Sequence, residues 1–169
     1  QAASLAEAWG TPLYVVDGDH FRCTIRETIA ALRNAWSESE VAYASKANST
    51  LALLRIAAEE GCLIDCASEG ELRAALAAGV PPNRLNLHGS NKSDGARRLA
   101  FELPIREIIA DDFGDLAAFV AAQKEGKALS TLLLRLCPEV RAETSAKIST
   151  GHRESKFGIG MADAREAVA

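Results

Sequence analysis

The stretch Val41-Ala42-Tyr43-Ala44-Ser45-Lys46-Ala47-Asn48 decides how the chain is read. Val41 to Ala44 is a short apolar run of strand character, and it ends in a charge. Ser49 and Thr50, ahead of Leu51-Ala52-Leu53-Leu54, read as the cap and first turn of a helix. Lys46 is therefore predicted at the C-terminal end of a strand, just before a strand-to-helix loop. In a parallel barrel that rim is where reactive groups gather, and a lysine held partly out of water there loses its charge readily. Burial lowers a lysine pKa by up to about 3–5 units and frees the amine to attack an aldehyde. The alternative is a lysine whose stem lies along the strand end while its ammonium stays in water.

Outward from this segment the pattern repeats. Leu51 to Glu60 is predicted helical and stops at Gly61; Leu63 to Cys66 is a strand; Ser68 to Ala78 is a helix stopping at Gly79. Leu85 to His88, Ile105 to Ala110 and Leu132 to Leu136 read as further strands, separated by helices over Ser93 to Glu102 and Asp112 to Lys124. Upstream, Ala2 to Trp9 is a short helix ended by Gly10, and Pro12 to Val16 reads as a strand. Asp17 or Asp19 caps the next helix, where Phe21, Ile25, Ile29 and Leu32 recur at helical spacing until Trp36. Strands and helices alternating through short links imply right-handed crossovers onto a parallel sheet.

Two α/β architectures accept this pattern, a doubly wound sheet and a (β/α)8 barrel of TIM type. Lys46, Asp65, His88, Asp111 and Arg135 fall at or just after the ends of successive strands. A barrel assembles its site from such a ring, whereas a doubly wound sheet concentrates it at one switch point. The glycine-rich phosphate loops G-x-G-x-x-G and G-x-x-x-x-G-K-[ST] are absent, so the barrel is the expectation.

The 169 residues are 48% hydrophobic and 25% charged, with a formal net charge of -4. That balance leaves no basic surplus for nucleic acid or an anionic membrane surface. No apolar run approaches the roughly 18 residues of a membrane span, and the first residues lack the features of a signal peptide, so a cytoplasmic location is expected. Cys23, Cys62, Cys66 and Cys137 are scattered, without a C-x-x-C pair or histidines at zinc-finger spacing. They are expected to be buried thiols, with no metal site.

Several polar residues have two readings. Asp65 ends an apolar strand, where a carboxylate needs a partner; it either tunes Lys46 or caps the following loop. Ser68-Glu69-Gly70-Glu71 fits a helix capping box, which gives Glu71 a structural role. His88 either faces a bound molecule or is satisfied locally. Arg135, after Leu132-Leu133-Leu134, requires an anionic or acceptor partner in the barrel mouth. The polar loop from Ile148 to Gly158, with His152, Arg153, Glu154 and Lys156, is either functional or solvated.

Taken in order, these segments resemble the diaminopimelate decarboxylase family, pyridoxal-phosphate decarboxylases that share their barrel with alanine racemase. Thr11 to Asp17 resembles the opening strand, Tyr43 to Asn48 the segment of the cofactor lysine, and Asp65 to Leu72 a second signature. His88 to Ser93 resembles a third, and Ile148 to Gly158 a fourth. The resemblance implies that Lys46 bonds to pyridoxal phosphate and that Asp65, His88 and Arg135 line the cofactor pocket. It further implies that Glu71 lies beside the lysine and Lys156 near the mouth. The reaction implied is decarboxylation of meso-diaminopimelate to L-lysine and carbon dioxide, in a full-length homodimer.

Pro138 to Lys147 departs from the family pattern, lacking its histidines, so ornithine, lysine or a siderophore precursor stays open as substrate. A whole barrel takes roughly 250 residues. Residues 1–169 are thus expected to be the N-terminal portion of the barrel domain without the family's C-terminal β domain, and to be inactive alone. A non-catalytic half-barrel that binds or assembles is the rival expectation.

Overall fold

The computed structural model describes residues 2–127, 129–138 and 157–168. It falls into two compact units, Gln1–Ser39 and Glu40–Ala169. In the first, helix α1 (Ala2–Trp9) ends before Gly10, and helix α2 (Gly18–Ala35) starts at Asp17. Asp17 Oδ1 accepts the N–H groups of Asp19 and His20, both at 3.0 Å, which settles the cap on the first of the two candidate aspartates. The strand expected over Pro12 to Val16 is not formed. Leu13, Tyr14, Val15 and Val16 are exposed, and none lies in a ladder. Strand propensity becomes a strand only where a neighbouring chain supplies hydrogen bonds, and none of the described residues supplies them here.

The second unit is a parallel sheet of β1 (Ala42–Ala44), β2 (Leu63–Cys66), β3 (Leu85–Leu87), β4 (Glu107–Ala110) and β5 (Thr131–Leu134). Helices α3 (Leu51–Glu59), α4 (Glu69–Ala77), α5 (Asp94–Glu102) and α6 (Phe113–Lys124) connect successive strands. Their starts are fixed by side-chain caps where the sequence offers them: Ser68, Ser93 and Asp112 each accept the amide three residues on. The strands lie side by side in the order β1-β2-β3-β4-β5. A doubly wound sheet reverses its order at a switch point; an order that never reverses is the wall of a barrel.

Beyond Arg135, strand β6 (Leu136–Cys137) pairs in parallel with β7 (Ile159–Gly160), and helix α7 (Ala164–Val168) follows. Arg135 joins the two ladders, since its N–H reaches the Ala110 carbonyl and its carbonyl accepts from Ile159.

Strand alternation sorts the side chains. Ile64, Cys66, Leu85, Leu87, Ile108 and Ala110 are buried with Leu54, Ala57, Leu72, Ala75, Ala96 and Ala100 of the helices. This is the core, and each fully buried leucine or isoleucine contributes about 1.5–3 kcal/mol. The opposite face carries a row set by the register, in which Ala44, Asp65, Asn86 and Glu107 stand side by side. Cys62, Cys66 and Cys137 are buried thiols as expected, but Cys23 is exposed on α2. Its thiol bonds to the Glu27 carboxylate, which raises its pKa.

Candidate active site

Because the strands are parallel, their C-terminal ends share one edge of the sheet. Lys46 sits there in a single 3-10 turn, Ser45–Ala47, directly after β1. Contrary to the expectation of partial burial, its side chain is exposed, since the turn carries it past the strand end. No described residue accepts a hydrogen bond from its amine. Ser45, beside it, is fully buried. Its Oγ lies 2.7 Å from the Asp65 carbonyl and 2.5 Å from Glu71 Oε2, so one hydroxyl ties the lysine turn to both β2 and α4.

Asp65 on β2 is half-buried and accepts a 2.8 Å hydrogen bond from Asn86 Nδ2, its register partner on β3. That amide is the partner a carboxylate on an apolar strand requires; no contact joins Asp65 to Lys46 directly. Glu71 departs from a simple capping box. Its amide binds Ser68 Oγ at 3.2 Å as expected, but its Oε2 accepts the N–H of Ala67 at 2.9 Å. Burial works to raise the Glu71 pKa, yet the donors Ser45, Ala67 and Ser68 outweigh it and hold the carboxyl below its ordinary value.

His88 follows β3, half-buried, with its amide bonded to the Cys66 carbonyl at 2.8 Å. Burial lowers its imidazole pKa; the field of Asp65 and Glu71 opposes that, while Lys46 and Arg135 reinforce it. Four other sequence-predicted residues, Lys46, Asp65, Glu71 and Arg135, are thus near enough to act on the His88 imidazole. Its ring nitrogens have no hydrogen-bond partner among the described residues. Lys156 lies outside the described residues.

Arg135 finds its anion within the chain. Its Nη1 lies 3.0 Å from Oδ1 of buried Asp111, the residue after β4, and its guanidinium stacks 4.5 Å from the Phe157 ring centroid. Oδ2 of the same aspartate accepts the Gly158 amide at 3.3 Å. Sequence reasoning placed Asp111 on the rim without a role, although an aspartate ending a buried strand next to an arginine-bearing one was the available signal. It also missed Asn86, which is 6% exposed and leaves its Oδ1 without a hydrogen-bond partner among the described residues. Among the described residues no group of His, Cys, Asp and Glu is arranged to hold a metal ion.

A free primary amine, a carboxylate and a poorly protonated imidazole at the rim of a parallel β/α wall define a site for amine chemistry on a carbonyl-bearing group. Residues 22–169 match the model of the pyridoxal-dependent decarboxylases, pyridoxal binding domain, and the chain belongs to that family. It is 42% identical over 160 residues to diaminopimelate decarboxylase of Bacillus subtilis, covering 95% of this chain and 36% of that protein. The chain thus spans about a third of the length of such relatives. The fold superposes on diaminopimelate decarboxylase of Helicobacter pylori complexed with L-lysine, with TM-score 0.81, 31% identity, and coverage of 99% and 42% of the two chains. The enzyme from M. jannaschii in co-complex with L-lysine gives TM-score 0.85 at 33% identity, with coverage of 99% and 40%. These neighbours are barrel enzymes, and the strand order described above is the first part of their barrel wall.

The family's cofactor is pyridoxal phosphate, and the residues fit it. Lys46 offers an unengaged amine to an aldehyde, and His88 offers a ring that burial keeps largely neutral. Asn86 Oδ1 on β3, two residues before His88, is a buried acceptor without a hydrogen-bond partner among the described residues.

Proposed function

We propose that this chain is the N-terminal portion of the cofactor-binding barrel of an enzyme that decarboxylates meso-diaminopimelate to L-lysine and carbon dioxide. The observation that carries the reading is the convergence of Lys46, Asp65, Glu71 and Arg135 on His88 at one edge of the sheet. Lys46 binds the cofactor covalently; Asp65, His88 and Arg135 line its pocket, with Glu71 beside the lysine and Lys156 near the mouth. When bound, pyridoxal phosphate supplies an aldehyde and an electron-withdrawing ring that accepts the electron pair left by departing carbon dioxide.

The chain's own groups divide the remaining work. Lys46 would present its amine to the cofactor's aldehyde from an exposed turn, where a substrate amine also has access. Ser45 and Glu71 fix that turn, and Glu71 stays ionised because three donors point at it. Asp65 presents a carboxylate oriented by Asn86. Arg135, held by Asp111, contributes direction more than net charge. On the resemblance, the whole enzyme is a cytoplasmic homodimer, and residues 1–169 alone do not turn substrate over. No helix among the described residues is long and apolar enough to cross a membrane.

The test is to mix the chain with pyridoxal phosphate, reduce with borohydride, and map the added mass. The expected result is labelling of Lys46 and none in Lys46→Ala; label spread over other lysines sinks the assignment. Adding meso-diaminopimelate to the loaded, unreduced chain should change its absorbance at lower concentration than L-ornithine or L-lysine does. An equal response to all three refutes the choice of substrate, and steady carbon dioxide release refutes the inactivity of the isolated chain.

A further inference from the structure

The loop after β3 and the first turn of α6 share a pair of charges with no part in the chemistry above. Lys92 and Asp115 have side chains only 1% and 3% exposed, with Nζ 2.6 Å from Oδ2. The same Nζ donates to the carbonyl of Gly89 at 2.8 Å, on the residue next to His88. Asp115 in turn accepts the Asp111 amide at 3.2 Å and two contacts from Arg97, at 3.1 and 3.3 Å. Gly89 adopts φ +113, and a Cβ there would lie 2.8 Å from the Ala67 carbonyl oxygen. The chain leaving His88 thus makes a turn that only glycine accepts, pressed against the loop after β2.

A buried ion pair is a poor source of stability, because desolvating both charges costs about as much as their attraction returns, and apolar replacements often do as well. What an ammonium with three donors provides is direction. We propose that Lys92, paired with Asp115, is a positioning residue of the candidate site: it pins the Gly89 carbonyl and thereby holds His88 half-buried among Lys46, Asp65, Glu71 and Arg135. The pair also reaches Arg135, through the amide and carboxylate of Asp111. Its meaning for catalysis rests on the reading above, but the positioning itself does not.

The experiment uses the 169-residue chain without cofactor and follows the His88 imidazole by NMR titration, assigned against His88→Gln among the chain's three histidines. Lys92→Met leaves Asp115 with Arg97, and Lys92→Met/Asp115→Asn leaves no uncompensated buried charge, so both variants are expected to fold. In both, His88 should lose its burial and titrate higher than in the parent, by about half a pH unit or more. Lys92→Arg, which restores a donor, should recover part of the shift. Folded variants whose His88 titrates as in the parent overturn the proposal. So does a double variant that does not fold, since the pair would then be a stability element. Failure of Lys46 to take up pyridoxal phosphate refutes the cofactor reading alone and leaves this result standing.

Discussion

Replacing Gly89 by alanine is the sharpest probe of the rim. Two costs add at this position. The backbone sits at φ +113, outside the region open to L residues, and such strain costs about 1–3 kcal/mol. The new methyl would also stand 2.8 Å from the Ala67 carbonyl oxygen, which is backbone and cannot rotate away. Relieving an overlap of that kind costs about another 1–3 kcal/mol. Gly79 supplies the control, because its φ of +85 is similarly unfavourable while no atom lies within 4 Å of its would-be Cβ. Gly79→Ala therefore carries the backbone term alone, about 1–2 kcal/mol. At about 2–4 °C per kcal/mol for a chain of this size, Gly89→Ala should lower the thermal midpoint by about 4–24 °C and Gly79→Ala by about 2–8 °C. Circular dichroism melts of the two variants under one buffer measure the difference. If Gly89→Ala melts no lower than Gly79→Ala, the loops after β2 and β3 do not meet as described.

Other outcomes follow from the same geometry. Ser45→Ala should move the Glu71 carboxyl pKa up toward its ordinary 4.5, because the first of its opposing donors is gone; carbon-13 titration of Glu71 reads this, and an unmoved midpoint contradicts it. Acid should weaken the fold in two stages. His88 has its pKa lowered from 6.5, so its neutral form is the one the fold prefers, and that stability is lost as pH falls below 6.5 through the folded value. Glu71 and Asp115 are held below 4.5 and 3.8 despite burial, so their contribution is present above those values and is lost at still lower pH. Urea midpoints at a series of pH values should show both stages, with the first abolished in His88→Gln; a first stage that survives the substitution points to another group. Asp112→Ala, which removes the cap of α6, should cost about 1 kcal/mol, and an unchanged urea midpoint would show that the cap bond contributes nothing.

What the sequence made readable was mostly local. Caps at Ser68, Ser93 and Asp112, and glycines after the helices, carry their conformational preference in the residue itself, so α4, α5 and α6 fall where spacing puts them. The ring of rim residues was also readable, since a charge that ends an apolar strand is conspicuous without knowledge of its partner. Partners were not readable. Asp111 meets Arg135 and Asp115 meets Lys92 across more than a dozen intervening residues, and nothing near either aspartate in sequence reveals which cation folding brings to it. Asn86 looked like an ordinary polar residue because its burial follows from the register with Asp65. Pro12 to Val16 misled for the same reason: composition reports a preference for strand, whereas a strand needs a second chain segment at hydrogen-bonding distance.

The unreversed strand order also bears on how the unit comes into being. Ala42 pairs with Leu63, Ile64 with Leu85, and Asn86 with Glu107, the same interval of chain each time. Every new strand finds its template in the strand emerged just before it, so no pairing waits for a distant part of the polypeptide. Closures of this length cost less entropy than pairing with a distant part of the chain would. On a ribosome the wall can be laid down plank by plank from the N-terminal side, and the lysine turn would be standing in place before the later strands exist.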